Sequence, residues 1–154
     1  MGSRNLADAD PTLATLVKAL QEEFFRRYCP HELVVTYVAR TREEHEALWA
    51  QGRRPLVIVN AYRARAGMAP ITEKANVEVT WTTDSKHLRI PSLAVDLAVA
   101  VDPDGAEGPM KPVIEWEDEP RYHQMGAIAI DLGLRWGGSW KKPDLCHVEL
   151  PEVA

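Results

Sequence analysis

The sequence feature that most constrains the fold is a run of eight residues, 94–101 (AVDLAVAV), which is apolar except for one carboxylate. Its β-branched residues and its alternation predict a strand over residues 93–101. Valine and leucine share one face of this strand, and Asp96 stands among alanines on the other face. Because burying a lone carboxylate is costly, Asp96 requires an ion pair, a hydrogen-bond donor or a metal as its partner.

Two histidines are candidates to share a metal with Asp96. His147 lies in a predicted strand over residues 146–150, on the same face as Glu149, and His87 ends the polar segment DSKH. Taken singly, a strand histidine is more often structural, and a histidine in a polar segment is more often at the surface. Taken together, two imidazoles and one carboxylate leave a fourth coordination position open, as a catalytic zinc requires. Their spacing is not of the HExxH type, so these ligands would have to converge from separate elements.

The remaining elements are predicted from periodicity and from start and stop signals. Asp10 is a capping residue before the first helix, and Thr41 with Glu44 forms a capping-box pattern before the second. The predicted helices cover residues 11–29, 42–51 and 120–133; the predicted strands cover 33–38, 56–59, 77–82, 93–101 and 146–150; and a turn is predicted at 102–105. Helices and strands mix without a regular βαβ alternation. This favours an α+β fold, with a small antiparallel sheet of about four strands packed with two or three helices.

The bulk properties of the chain limit its function. A chain of 154 residues is expected to form one domain, residues 1–154, with one core. The net charge of −5 argues against binding of nucleic acid through a general positive field. Two distant cysteines, Cys29 and Cys146, disfavour a disulfide framework or an all-cysteine zinc site. Because neither a signal peptide nor a membrane-spanning apolar run is visible, we expect a protein that is made in the cytoplasm without stable membrane association. We also expect a monomer.

Several segments, in the expected order, resemble the D-Ala-D-Ala metallopeptidase superfamily. The stretch SKHLRIPSLAVDL (85–97) is similar to its S-x-H-x-x-G-x-A-x-D motif, and WGGSWKKPDLCHVEL (136–150) is similar to its W-G-G-x-W…D-x-P-H-x-E terminal motif. ARTREEHEALWAQGR (39–53) resembles its R-T-x-x-E-Q-x-x-L-Y-x-x-G-R helix, and VTWTTDSKH (79–87) resembles the approach to its first ligand. The chain looks most like the phage-type L-alanyl-D-glutamate endopeptidases and related cell-wall peptidases. The resemblance implies a fold of the hedgehog/DD-peptidase type.

The resemblance also implies a role for each matching residue. The positions that match the zinc ligands of the family are His87, Asp96 and His147. Asp144 matches the carboxylate that activates the zinc-bound water, and Arg40 matches the arginine that steadies the scissile carbonyl. Ser85 matches a residue near the substrate, and Glu149 would support a ligand histidine from outside the coordination shell. By themselves, Asp144 as a solvated turn residue and Arg40 as a surface ion-pair residue remain alternatives.

The chain departs from the family motifs at three places. The first two matching ligands are nine positions apart, more than in the family, and residues 88–93 contain no glycine, so this loop must follow a different path. His45 stands where the helix motif often has glutamine, and Cys146 replaces the proline before the last histidine. Alternation places Cys146 opposite His147, which predicts a packed thiol and not a fourth ligand. These departures affect the fit of a substrate more than the binding of a metal.

Further histidines and tryptophans lie outside the predicted ligand set. His31, His45 and His123 lie in or beside helices without a ligand motif, so surface or capping roles are expected for them. Trp136 and Trp140 are candidates to line a peptide cleft, although tryptophans are as often part of a core.

The function implied by the resemblance is zinc-dependent hydrolysis of a peptide bond in peptidoglycan stem peptides. An L-alanyl-D-glutamate endopeptidase similar to phage endolysins is the first expectation, and a D-Ala-D-Ala carboxypeptidase or dipeptidase is the nearest alternative. Two rivals differ in class: a non-catalytic zinc-binding domain of the same fold, and a decayed motif that binds no metal. The absence of a visible signal region fits a lysin that reaches the cell wall after holin-type release.

Overall fold

The computed structural model describes residues 2–102 and 112–152. Within these ranges the elements are α1 (Pro11–Tyr28), β1 (His31–Tyr37), α2 (Arg42–Ala50), α3 (Leu56–Arg65), β2 (Ala94–Val101), β3 (Val113–Ile114), α4 (Glu119–Asp131), β4 (Arg135–Trp136) and β5 (His147–Glu149). The α+β class predicted from the sequence is confirmed, with an antiparallel sheet at its centre. No helix in the described ranges combines the length and the apolar composition that a membrane crossing needs.

The sheet has the strand order β1-β2-β5-β4, and β3 pairs with the far end of β2. All pairings are antiparallel. Asp96 lies opposite Tyr37 on one neighbouring strand and opposite His147 on the other. Because directly opposed residues in a sheet have adjacent side chains, this register brings Asp96 and His147 together although they are distant in sequence.

The core lies between the sheet and the helices α1 and α4. Helix α1 begins as predicted, because the Asp10 carboxylate accepts hydrogen bonds from the backbone N–H groups of Thr12 and Leu13. Its apolar face is fully buried against the valine and leucine face of β2. The core residues that these two elements contribute are Leu13, Val17, Leu20, Phe24, Val95, Leu97 and Val99. The alternation in β2 therefore separates a packed face from the face that carries Asp96.

The predicted strand at 56–59 is wrong, since these residues begin helix α3. A short apolar run cannot be distinguished from a piece of helix by periodicity alone. Here the run continues into helix-forming residues, and Val59 is the residue of α3 that is buried. Helix α3 packs against α2, and residues 56–65 add no strand to the sheet.

The predicted strand at 77–82 is also wrong, because these residues form no strand in the structure. A strand needs a neighbour that supplies ladder hydrogen bonds, and β propensity alone does not provide one. Carbonyl groups of this segment instead accept hydrogen bonds from side chains: Arg53 donates to Thr80 at 2.9 Å, and a His45 ring nitrogen lies 2.7 Å from the Thr82 oxygen. The turn predicted at 102–105 lies, beyond Asp102, outside the described residues.

Candidate metal centre

The side chains of His87, Asp96 and His147 meet at one end of the sheet. One potential ligand atom from each lies within 4.8 Å of the other two. The Asp96 Oδ1 atom is 3.2 Å from His87 Nε2 and 3.3 Å from His147 Nδ1. His87 reaches this point from a short 3-10 turn, Lys86–Leu88, and the other two come from adjacent strands. The three residues predicted from separate segments are thus brought together.

The outward nitrogen of each imidazole is held by an acceptor. His87 Nδ1 lies 2.7 Å from the Val38 carbonyl oxygen, and His147 Nε2 lies 2.9 Å from Glu149 Oε1. Because a carbonyl or a carboxylate oxygen can only accept here, both outward nitrogens carry the proton. Metal ligation requires neutral imidazoles, and in that form the nitrogens that face Asp96 present lone pairs. This is the arrangement that supports histidine ligands of metals in general.

The electrostatics of the cluster favour a positive charge between its members. Burial raises the pKa of Asp96, but hydrogen bonds from His147 and His87 outweigh burial and hold it well below its usual range. Burial lowers the pKa of His147, but its hydrogen bonds to Asp96 and Glu149 outweigh burial and raise it to about 9. A cation can occupy the position that such a proton would take. Two imidazole nitrogens and one carboxylate oxygen fit the donor preference of zinc.

Glu149 connects this cluster to a half-buried lysine. Its second carboxylate oxygen, Oε2, lies 2.6 Å from Lys86 Nζ, which also donates to the Leu150 carbonyl at 2.6 Å. Burial raises the pKa of Glu149, yet the hydrogen bonds from His147 and Lys86 outweigh it and lower the pKa to about 2. The carboxylate is therefore ionised and fixed, and it orients the His147 ring.

Asp144 faces the same cavity as the three clustered side chains. Its position depends on a close approach of Gly137, whose carbonyl accepts the Asp144 N–H at 2.9 Å. A Cβ atom on Gly137 would lie 2.5 Å from the Asp144 carbonyl oxygen and 3.0 Å from the His147 Cβ, so only glycine fits. Burial, and then the nearby charge of Asp96, raise the pKa of Asp144. A carboxylate with a raised pKa is suited to accept and return a proton.

Arg40 follows β1 and lines the same cavity. Its backbone N–H donates to the His87 carbonyl at 2.9 Å, and its guanidinium carbon lies 5.1 Å from the centroid of the Tyr37 ring. Its Nη1 atom is 3.2 Å from His45 Nδ1. Within residues 2–102 and 112–152, Arg40 Nε is a buried nitrogen without a hydrogen-bond partner. A side chain held in this way presents a fixed positive charge to the cavity.

Ser85 and the lengthened loop support the first histidine. Ser85 lines the cavity, and its hydroxyl accepts the backbone N–H of His87 at 3.2 Å. In the loop 88–93, the buried Ser92 hydroxyl donates to the Val38 carbonyl at 2.7 Å, which is the same oxygen that accepts from His87. The two additional residues of this loop therefore do not displace the first histidine.

The cavity has a volume of about 490 Å³ and aromatic side chains at its rim. The Trp140 ring lies 4.8 Å from the His147 ring, and the exposed Trp81 ring lies 5.2 Å from Lys142 Nζ. Trp140 and Trp81 thus line the cleft, whereas Trp136 is buried in the core and donates to the Leu145 carbonyl. Of the two tryptophans considered from the sequence, the structure places one at the cavity.

The structure confirms the prediction for Cys146 and corrects the prediction for His45. Cys146 packs against the core with a free thiol, and burial raises its pKa to about 12, as expected for a packed residue outside the ligand set. The surface or capping role predicted for His45 is wrong, since only 2% of its surface is exposed. No local signal predicts this burial, because its partner Thr82 lies 37 positions away in the sequence.

Comparisons with known proteins agree with this geometry. Residues 79–150 match the sequence model of the D-alanyl-D-alanine carboxypeptidase family, and this segment contains the clustered side chains and Asp144 but not Arg40. No curated protein matches the chain. Among solved structures, the chain is similar to the L-Ala D-Glu endopeptidase ChiX of Serratia marcescens, with 21% identity, a TM-score of 0.56 and coverage of 98% of this chain and 89% of that chain. This likeness establishes the fold. The family match over residues 79–150 and the shared fold confirm the predicted resemblance to the D-Ala-D-Ala metallopeptidase superfamily.

Proposed function

We propose that residues 1–154 form a single zinc peptidase domain that hydrolyses a peptide bond in peptidoglycan stem peptides. The observation that carries this proposal is the convergence of three ligand atoms, from His87, Asp96 and His147, in a cavity that Asp144 and Arg40 also line. The family match and the endopeptidase fold support a peptidase that acts on cell-wall peptides. The L-alanyl-D-glutamate bond is the proposed site of cleavage.

The side chains have separate tasks in this reaction. When bound, zinc supplies a Lewis acid that lowers the pKa of water and polarises the scissile carbonyl. Asp144 accepts the proton of the attacking water and returns it to the nitrogen of the leaving amine. Arg40 presents its cation to the carbonyl oxygen as negative charge develops there. Ser85 holds the turn that carries His87 and lines the cavity in which the peptide would bind.

The rim of the cavity suits an anionic substrate. Arg135, Lys141 and Lys142 line it and are exposed to solvent. A D-glutamyl residue carries a free carboxylate beside the nitrogen released by cleavage of an L-Ala–D-Glu bond. We propose that these three exposed cations orient such a carboxylate, although acidic residues, among them Asp84 and Glu152, also line the cavity.

The test is digestion of purified peptidoglycan with the metal-loaded protein, followed by mass analysis of the fragments. The proposal predicts new fragments with an N-terminal D-glutamyl residue. Asp144→Asn should retain zinc and lose about 10²–10⁴-fold in kcat, because it removes the proton acceptor and leaves the ligands in place. Unchanged hydrolysis by Asp144→Asn would rule out this residue as the base.

Two alternative functions give different results in the same experiment. Release of free D-alanine would indicate a carboxypeptidase, which the description of the matching family favours. A dipeptidase would instead cleave free D-Ala-D-Ala. Zinc binding without any fragment would indicate a non-catalytic zinc-binding domain.

Release of fragments from intact cells only when a holin-type pore is present would support an endolysin-like route from the cytoplasm to the wall.

A further inference from the structure

We infer that His45 is a positioning residue that sets the direction of the Arg40 guanidinium in the cavity. This inference rests on the proposed function, in which Arg40 faces the scissile carbonyl. His45 lies on α2, outside the segment that matches the family model, and it does not line the cavity that contains the clustered ligands.

His45 contacts two groups with fixed hydrogen-bonding character. Its Nε2 atom lies 2.7 Å from the Thr82 carbonyl oxygen, and its Nδ1 atom lies 3.2 Å from Arg40 Nη1. The carbonyl can only accept, so Nε2 must carry the proton. The guanidinium can only donate, so Nδ1 must present a lone pair. The two contacts together require a neutral imidazole with the proton on Nε2.

The surroundings of His45 favour this neutral form. Only 2% of its surface is exposed, and its burial is the main cause that lowers its pKa. The adjacent cations Arg40 and Arg42 lower the pKa further, in opposition to the hydrogen bond with Thr82. The imidazole is therefore a stable acceptor for Arg40.

The consequence for Arg40 is a guanidinium fixed from two sides. The Tyr37 ring lies against its face, and His45 accepts from Nη1 at its edge. The Tyr37 hydroxyl in turn donates to the Glu44 carboxylate on α2. An arginine otherwise has several rotatable bonds and loses considerable conformational freedom when it is ordered. Helix α2 thus pre-orders Arg40 before a peptide arrives.

His45 also connects Arg40 to another wall of the cavity, which contains Thr82. Thr82 belongs to the irregular segment that lines the cleft beside Trp81. Because His45 binds the Thr82 carbonyl through one nitrogen and Arg40 through the other, it fixes the distance between this wall and the guanidinium. Loss of the imidazole would move the Thr82 segment and the Arg40 guanidinium. A displacement of about 1 Å at a reacting group can cost 10²-fold in rate.

The test compares His45→Leu and His45→Gln in the metal-loaded full chain, with His31→Leu as the matched control. Leucine fills a similar volume without polar atoms, whereas glutamine retains one acceptor and one donor. We expect His45→Leu to lower kcat by about tenfold to a hundredfold with little change in KM and in zinc content. His45→Gln should recover most of this loss, and His31→Leu should match the wild type.

A double-mutant cycle separates positioning from general stability. In an Arg40→Ala background, His45→Leu should cause little further loss, because the group that it positions is absent. An equal additional loss in that background, or a wild-type kcat for His45→Leu, would overturn the inference.

A measurement without substrate keeps this inference separate from the proposed function. The ¹⁵N spectrum of the wild-type protein at neutral pH should show His45 neutral and protonated on Nε2. His45→Leu should also broaden or shift the Arg40 side-chain signals. An Nδ1-protonated or cationic His45 would contradict the inference even if the enzyme is active. Conversely, the expected spectrum with no hydrolysis by the wild type would remove the proposed function and leave the His45–Arg40 contact in place.

Discussion

Two groups of histidine and carboxylate side chains lie in the described part of the chain, and they differ in what surrounds them. The first, the site cluster, consists of His87, Asp96 and His147; the second, the distal cluster, consists of His31, Glu115 and Asp118. In both groups, potential ligand atoms lie within 4.8 Å of one another. The clusters lie near opposite ends of β2, since Asp96 is in the first half of the strand and His31 pairs with Val101 at its end. Proximity of ligand atoms therefore does not distinguish them.

The burial and the hydrogen-bond partners of the side chains do distinguish the site cluster from the distal cluster. In the site cluster, both histidines are buried, and each has an acceptor on its outward nitrogen. In the distal cluster, His31 Nε2 lies 3.5 Å from Glu115 Oε2, and their side chains are 20% and 38% exposed. Asp118 is engaged elsewhere, because its carboxylate accepts the backbone N–H of Arg121 at 3.4 Å and caps α4. Burial and outer hydrogen bonds, rather than residue types, distinguish the site cluster, which we propose holds the metal.

The largest effect is expected when one ligand of the site cluster is removed. Asp96→Ala should abolish detectable hydrolysis of peptidoglycan, because it leaves two buried imidazoles without the carboxylate that they share. Glu115→Ala, the matched change in the distal cluster, should leave hydrolysis at the wild-type rate. Fragment release from purified peptidoglycan measures both. Activity in Asp96→Ala, or an equal loss in Glu115→Ala, would show that the comparison fails.

A smaller effect is expected from the outer partner of His147. Glu149→Ala should weaken zinc binding by about 10–100-fold, because the His147 ring loses its acceptor and its fixed tautomer. Glu152→Ala changes an exposed glutamate that lines the same cavity and serves as the control. Competition with a chromogenic chelator measures the affinity. If both variants bind zinc equally well, outer hydrogen bonds are not what distinguishes the two clusters.

The smallest effect is expected from Asp118. Its contact with Arg121 predicts that Asp118→Ala costs about 1 kcal/mol in the free energy of unfolding, through loss of a helix cap. Zinc affinity should not change. Urea denaturation of the wild type and the variant provides the measurement. A loss of zinc affinity with unchanged stability would instead assign Asp118 a ligand role.

The sequence predicted individual residues of the site better than their arrangement. The alternation in residues 94–101 correctly predicted that Asp96 stands apart from the core face. The register that places Asp96 opposite His147 depends on pairing between distant strands, and no local pattern encodes it. His45 was misjudged for the same reason, because its partner Thr82 lies 37 positions away. Helix α3 was missed because a short apolar run fits a strand and a helix equally well.

The most direct test of the site is calorimetric titration of zinc into the metal-free protein, with His147→Ala and His31→Ala as paired variants. The wild type and His31→Ala should each bind about one zinc per chain, and His147→Ala should lose this binding, because two remaining ligands do not hold a zinc site of this type. Absence of zinc binding in the wild type, or binding that depends on His31 and not on His147, would contradict the assignment of the metal to the site cluster.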